Sequence, residues 1–223
     1  MPSTPLKRIS GRIDPLASWD AKRQQQHAIH VHILLDMSGS MYGARQELIM
    51  AYNRLLSRLQ TWTRPTTVLD CQFFQWESET FYTGALHQAP MLTEYRYCPD
   101  GGTRMKTAIA ALLDAQEGKA GTHILIVFTD GQDDATAEEG NVPATTIATQ
   151  LSNHPSWLFV YLGAYPDAME EGLRCGFREG NCLTFDKAHL ADAFRLLQQG
   201  MQRFLTADNT VKQRLLTAGI FSQ

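Results

Sequence analysis

Strand-sized apolar runs that alternate with amphipathic helical stretches predict an α/β fold, its central sheet mostly parallel and covered by helices on both faces. Two runs carry most of that prediction. "IHVHILL" (residues 29–35) and "THILIVF" (122–128) are apolar over a full strand, and each breaks abruptly into polar sequence, "DMSGS" and "TDGQDD". A third indicator lies between them: Leu48, Tyr52, Leu55 and Leu59 share one helical stripe, with Ile49 and Leu56 beside it.

The remaining elements follow in order. Residues 1–26 show neither helical nor alternating periodicity and carry prolines at 2, 5 and 15, so they are expected to form an arm outside the domain at 27–223. The helix over 44–60 is followed by "TTVLDCQFFQW" and "TFYTGAL", a hairpin turning at 77–79. A turn-rich loop, "YCPDGGT", leads into a helix over 104–117 with Met105, Ile109, Leu112 and Leu113 inward. After the strand at 122–128 come a helix near 143–153, a strand "WLFVYLG", a short helix over 166–175 and a short strand "NCLTF". One long terminal helix is expected, its inner face lined by Leu190, Phe194, Leu197, Met201 and Phe204 or Leu205. No internal repeat or low-complexity segment interrupts this order.

With 223 residues, 43% of them hydrophobic, the chain can bury one substantial core. A formal charge of −3 without a basic stripe gives no electrostatic footprint for nucleic acid. The apolar runs are too short to span a bilayer, and no apolar stretch follows the basic residues near the N-terminus as a secretory signal would require. Cys71, Cys98, Cys175 and Cys182 form no C-x-x-C pair and read as free thiols in a reducing cytoplasm, a Cys175–Cys182 disulfide being the alternative in an oxidising compartment.

Three polar clusters carry the chemistry. Asp36, Ser38 and Ser40 follow the first strand, Thr103 sits in the "PDGGT" loop before a helix, and Asp130 follows the strand at 122–128. If those two strands are neighbours, all three loops open on the carboxyl edge of the sheet, where α/β folds bind ligands. Alternate residues of an extended turn point the same way, so the D-x-S-x-S spacing lets one carboxylate and two hydroxyls converge. Gly39 relaxes the backbone between the hydroxyls, and Gly101 and Gly102 allow close approach of the Thr103 loop. Two carboxylates and three hydroxyls, with no histidine or cysteine, suit Mg²⁺, Mn²⁺ or Ca²⁺ and suit zinc poorly.

Other readings weigh less. A phosphohydrolase using Asp36 and Asp130 with Mg²⁺ would want a second acid two residues after Asp36. That position is Ser38, whose hydroxyl is far too weak an acid to serve near neutrality. Neither serine lies in G-x-S-x-G, and no G-x-x-x-x-G-K-[ST] loop exists. Asp100, Asp133 and Asp134 add acid beside the cluster. "PDGG" is a turn signature and "DD" before "ATAEE" a helix start, while the same acids would also serve as a rim that shapes partner choice. Glu138 and Glu139 read as a solvated face. His30 and His32 share one strand face, with His123 on the other long strand; they read as satisfied core histidines, with a second metal site as the alternative. Trp62, Trp76 and Trp157 are expected to pack, Trp76 at the hairpin tip being the candidate for exposure.

"DMSGSM", "GGT" and "FTDG", in that order on alternating strands and loops, resemble the von Willebrand factor A domain from about His27 to the end of the chain. Its metal-ion-dependent adhesion site has the pattern D-x-S-x-S, then T, then D; Asp36, Ser38, Ser40, Thr103 and Asp130 match all five positions. The resemblance implies a Rossmann-like three-layer fold with a six-stranded sheet, mostly parallel with one antiparallel edge strand. It also implies a bound divalent cation, usually Mg²⁺, and a non-catalytic module that docks an Asp or Glu of a partner protein through that ion. "WLFVYLGAYPDA" is similar to a stretch of free-standing bacterial members. Those act as adaptors for MoxR-type AAA+ ATPases or accompany a kinase and a phosphatase in tellurite-resistance-type stress systems.

Overall fold

The computed structural model describes residues 28–64, 66–130, 133, 140–186 and 189–222; the expected arm at 1–26 lies outside these, as do Asp134, Glu138 and Glu139. The chain runs β1 (Ile29–Asp36), a 3₁₀ turn (Gly39–Ala44), α1 (Arg45–Trp62), β2 (Val68–Phe74), β3 (Ser78–Ala85) and α2 (Met105–Ala115). It continues through β4 (Thr122–Thr129), α3 (Ala144–Ser152), β5 (Leu158–Gly163), α4 (Ala168–Arg174), β6 (Cys182–Thr184), α5 (Leu190–Thr206) and α6 (Asn209–Ala218). The six strands form one sheet in the order β3-β2-β1-β4-β5-β6. β3 alone is antiparallel, as the hairpin requires, and its turn falls at 75–77, where Gln75 N–H donates to Glu77 O at 3.1 Å.

Strand alternation sorts the core into two layers. Val31, Ile33 and Leu35 of β1 join Ile124, Ile126 and Phe128 of β4 against the apolar stripes of α1, α5 and α6. Leu34, Leu125, Val127 and Phe159 face the other way, onto α2 and α3. Burial on both faces explains why β1, β4 and β5 read as near-continuous apolar runs.

The histidines of the long strands lie at the amino end of the sheet, on the α2–α3 side. His30 stacks on His123 with ring centroids 4.5 Å apart, and His123 stacks on Trp157 at 4.2 Å. His123 Nε2 lies 3.2 Å from Lys119 O, which can only accept, so in the neutral ring Nδ1 is the acceptor for His32 Nε2–H at 3.2 Å. His32 Nδ1 then faces the Asp70 carboxylate at 3.6 Å. Burial pushes His123 down to about 3, with the neighbouring His30 and His32 adding to the effect, and burial also lowers His30. Among the described residues no group of three or more His, Cys, Asp or Glu side chains is placed to hold a metal ion, and the array is a packed stack of rings.

The C-terminus departs from the single helix expected. Helix α5 ends at Thr206, Ala207 is extended (φ −69°, ψ 153°), and Asp208 caps a new helix by accepting Val211 N–H at 2.8 Å. Composition hid this break, because neither Gly nor Pro marks it. Helix α6 returns to the domain at a backbone-to-backbone crossing. Phe221 N–H donates to Gly180 O at 2.9 Å and Ile220 N–H to Asn181 Oδ1 at 2.8 Å, while a Cβ on Gly180 would lie 2.0 Å from Ala218 O. The four cysteines are free thiols, with no Cys175–Cys182 disulfide, and burial pushes Cys71, Cys175 and Cys182 up to about 12.

Two outcomes follow. Gly180→Ala must displace backbone rather than a side-chain tip, so it should cost about 1–3 kcal/mol of stability, read from the urea midpoint. A depressed histidine pKa stabilises fully above the unfolded value, about 6.5, and that contribution drains as pH falls towards the folded value. The melting temperature should therefore drop between pH 7 and pH 5, and His123→Gln should flatten that dependence.

Candidate metal centre

Strand order reverses between β1 and β4, because the chain moves from β1 to β2 on one side and later returns to β4 on the other. That reversal opens a crevice beyond the carboxyl ends of the two strands. Leu35 pairs with Phe128, so one step further Asp36 lies level with Thr129, and Asp130 is the next residue beyond. Thr129 Oγ1 donates to Asp36 Oδ2 at 2.6 Å, and Ser38 N–H donates to Oδ1 at 2.8 Å. The hydroxyl of buried Tyr97 donates to the Asp36 carbonyl oxygen.

The two serines link the carboxylates. Ser38 Oγ and Ser40 Oγ lie 3.0 Å apart, and Ser40 Oγ donates to Asp130 Oδ1 at 2.7 Å. Asp36, Ser38, Thr103 and Asp130 are buried, whereas Ser40 is exposed, so the cluster opens to solvent on the Ser40 side. Burial pushes the Asp36 carboxyl up to about 6, an effect that the Ser38 and Thr129 hydrogen bonds oppose and the nearby Asp130 charge reinforces.

The Thr103 loop is laid against the first strand's exit by backbone pairing. Asp100 N–H donates to Met37 O and Gly39 N–H to Gly101 O, both at 2.9 Å, while Arg104 N–H donates to Gln75 O at 3.1 Å. The double glycine has a second reason besides close approach to the serines. Gly101 adopts φ +70°, and a Cβ on Gly102 would lie 2.6 Å from the Trp76 ring, which rests on both glycines with the Arg104 guanidinium 5.3 Å from its centroid. Trp157 is buried and Trp62 half-buried against the core, whereas Trp76 is 43% exposed at this rim and Tyr42 71% exposed two residues after Ser40. Arg45, the first residue of α1, fastens the approach to this loop by donating from Nε to Tyr97 O at 2.8 Å.

Of the expected rim acids, Asp100 is exposed and accepts its own loop's Gly101 N–H at 2.8 Å. Asp133 is not a rim group. Its side chain is 1% exposed and accepts Lys106 N–H and Asn141 Nδ2, each at 2.9 Å. It caps the first turn of α2, and the helix that its own sequence context suggested, over 135–139, lies outside the described residues. Asp134 lies outside the described residues. Thr129, Tyr97 and Arg45 escaped the sequence reading. The one available signal was Thr129's place as the last strand residue before Asp130.

The side chains that meet here, Asp36, Ser38, Ser40 and Asp130, are oxygen donors of the kind a hard divalent cation takes, two of them carboxylates whose mutual repulsion an ion would relieve. Asp36, Ser38, Ser40, Thr103 and Asp130 are the residues that would hold it.

No family model and no curated protein matches the chain. Solved structures do match. The von Willebrand factor domain of the type V pili tip protein Mfa5 from Porphyromonas gingivalis aligns with TM-score 0.60 and 12% identity, over 82% of this chain and 98% of that one. VWA2, an ArnB paralog from Sulfolobus acidocaldarius, aligns at 0.56 and 16%, over 76% and 45%. Proximal thread matrix protein 1 from the mussel byssus, with a zinc-occupied MIDAS motif, aligns at 0.54 and 15%, over 78% and 46%. This chain thus spans less than half the length of the latter two. The sheet order, the single antiparallel edge strand and these likenesses together give the chain the fold of a von Willebrand factor A domain.

Proposed function

We propose that the chain is a non-catalytic protein-binding module that holds a divalent cation, Mg²⁺ or else Mn²⁺ or Ca²⁺, and docks an Asp or Glu of a partner protein through it. One observation carries this reading: the continuous hydrogen-bonded chain Ser38–Ser40–Asp130, beside buried Asp36, at the reversal of strand order. A cation held by two carboxylates and three neutral hydroxyls keeps part of its charge uncompensated, and a carboxylate from outside supplies what is missing. The exposed Trp76 and Tyr42 offer rigid aromatic area around that point. The resemblance to free-standing bacterial domains supports an adaptor role, beside a MoxR-type AAA+ ATPase or in a tellurite-resistance-type stress system. The free thiols are compatible with the cytoplasm.

Thermal melts with millimolar Mg²⁺ and with EDTA test the cation: ion at a hundredfold excess over its Kd adds about 2.7 kcal/mol. Asp130→Ala should remove that gain and leave a folded protein. Zinc, found in the mussel protein, belongs in the same series. Capture of a partner from source cells should need Mg²⁺ and fail in EDTA, and Thr103→Ala should weaken capture more than it weakens folding. Hydrolysis of p-nitrophenyl phosphate that depends on Mg²⁺ and on Asp36 would overturn the non-catalytic reading in favour of a phosphohydrolase.

A further inference from the structure

Lys106 lies three residues after Thr103 in the first turn of α2, and Asp133 lies three residues after Asp130 in the loop that leaves β4. The two meet in the interior. Asp133 Oδ2 accepts Lys106 N–H at 2.9 Å and lies 3.3 Å from Lys106 Nζ, the side chains being 1% and 12% exposed. A second carboxylate holds the same ammonium: Glu171 Oε1, from α4, is 3.3 Å from Nζ, with its side chain 6% exposed. Arg174 binds the other oxygen of Glu171 from the solvent side. Asn141 donates to Asp133 Oδ1 at 2.9 Å and accepts from the hydroxyl of Thr107 at 3.3 Å, adding a second tie to the start of α2.

These contacts join the first turn of α2, just after Thr103, to Asp133, three residues after Asp130. The bridge has little freedom, because the ammonium cannot leave without removing the opposite charge that faces buried Asp133. We infer that Lys106 is a positioning residue of the cation site, fixing the separation of the Thr103 and Asp130 loops by holding Asp133 to the first turn of α2 with Glu171 as its anchor. The inference rests on the cation reading above and adds how the site selects its ion. Mg²⁺ demands near-ideal oxygen geometry at short distance, whereas Ca²⁺ accepts longer and more irregular contacts. A fixed separation favours the smaller ion, and a slackened one shifts the preference towards the larger.

Calorimetric titration of the full chain with MgCl₂ and with CaCl₂ tests this. Lys106→Met should lower the ratio of Mg²⁺ to Ca²⁺ affinity about tenfold, in the range typical of groups that orient metal ligands. Lys106→Arg, which keeps the charge between the two acids, should restore most of it. Glu171→Gln, which leaves the Asp133 contact in place, should lower the ratio in the same direction by a smaller factor and provides the readout if Lys106→Met fails to fold. A residue that merely supported the fold would lower the melting temperature and leave the ratio alone. An unchanged ratio in every variant that folds overturns the inference while leaving the cation reading intact. A wild-type chain that takes up neither ion overturns both.

Discussion

The parallel pairing of β1 with β4 is the constraint on which the open edge of this molecule depends. Its register sets Asp36 beside Thr129, so the hydroxyl of one strand satisfies the carboxylate of the other, and Asp130 emerges one residue later over the same crevice. A slip of one residue would turn Asp36 to the other face of the sheet. The apolar alternation on both strands forbids that slip, because it would also exchange Val31, Ile33 and Leu35 between the two core layers. The polar chemistry is aligned by the apolar packing beneath it.

At that edge, electrostatics and hydrogen bonding oppose each other. Burial and the charge of Asp130 raise the proton affinity of Asp36, while Ser38 and Thr129 donate to it and hold the carboxylate in a fixed orientation. Such an arrangement concentrates negative charge and leaves the compensating positive charge to come from outside. The same logic recurs deeper in the molecule with an internal solution: Lys106 compensates Asp133 and Glu171. One acidic cluster is closed by the chain's own cation, and the other lies open on the side of Ser40.

Much of this was legible in the sequence, for definite physical reasons. Strands buried on both faces announce themselves as unbroken apolar runs, and the D-x-S-x-S spacing, with TDG downstream, anticipates the meeting of Ser38 and Ser40 with Asp130 beside Asp36. What escaped depends on register and on contacts distant in sequence. Thr129 matters because of what stands opposite it, and Tyr97 because its hydroxyl reaches the carbonyl of residue 36. The Asp133 cap on α2 escaped because the N–H it accepts, that of Lys106, lies 27 residues earlier in the chain. The division of the terminal helix at Ala207 was invisible because an extended alanine followed by a capping aspartate carries no strong breaker.

The Trp76 ring lying on Gly101 and Gly102 has a consequence for how such a chain can drift over generations. An alanine at 102 collides with the indole, so it becomes acceptable only after residue 76 has shrunk or swung away. Once residue 102 has gained a side chain, the indole cannot return to its seat. Position 101 is held more tightly still, since its φ of +70° favours glycine whatever residue 76 becomes. Residues 76 and 102 are therefore expected to co-vary among descendants of this sequence, with 101 invariant beside them, although they lie on separate loops and neither supplies an oxygen to the site.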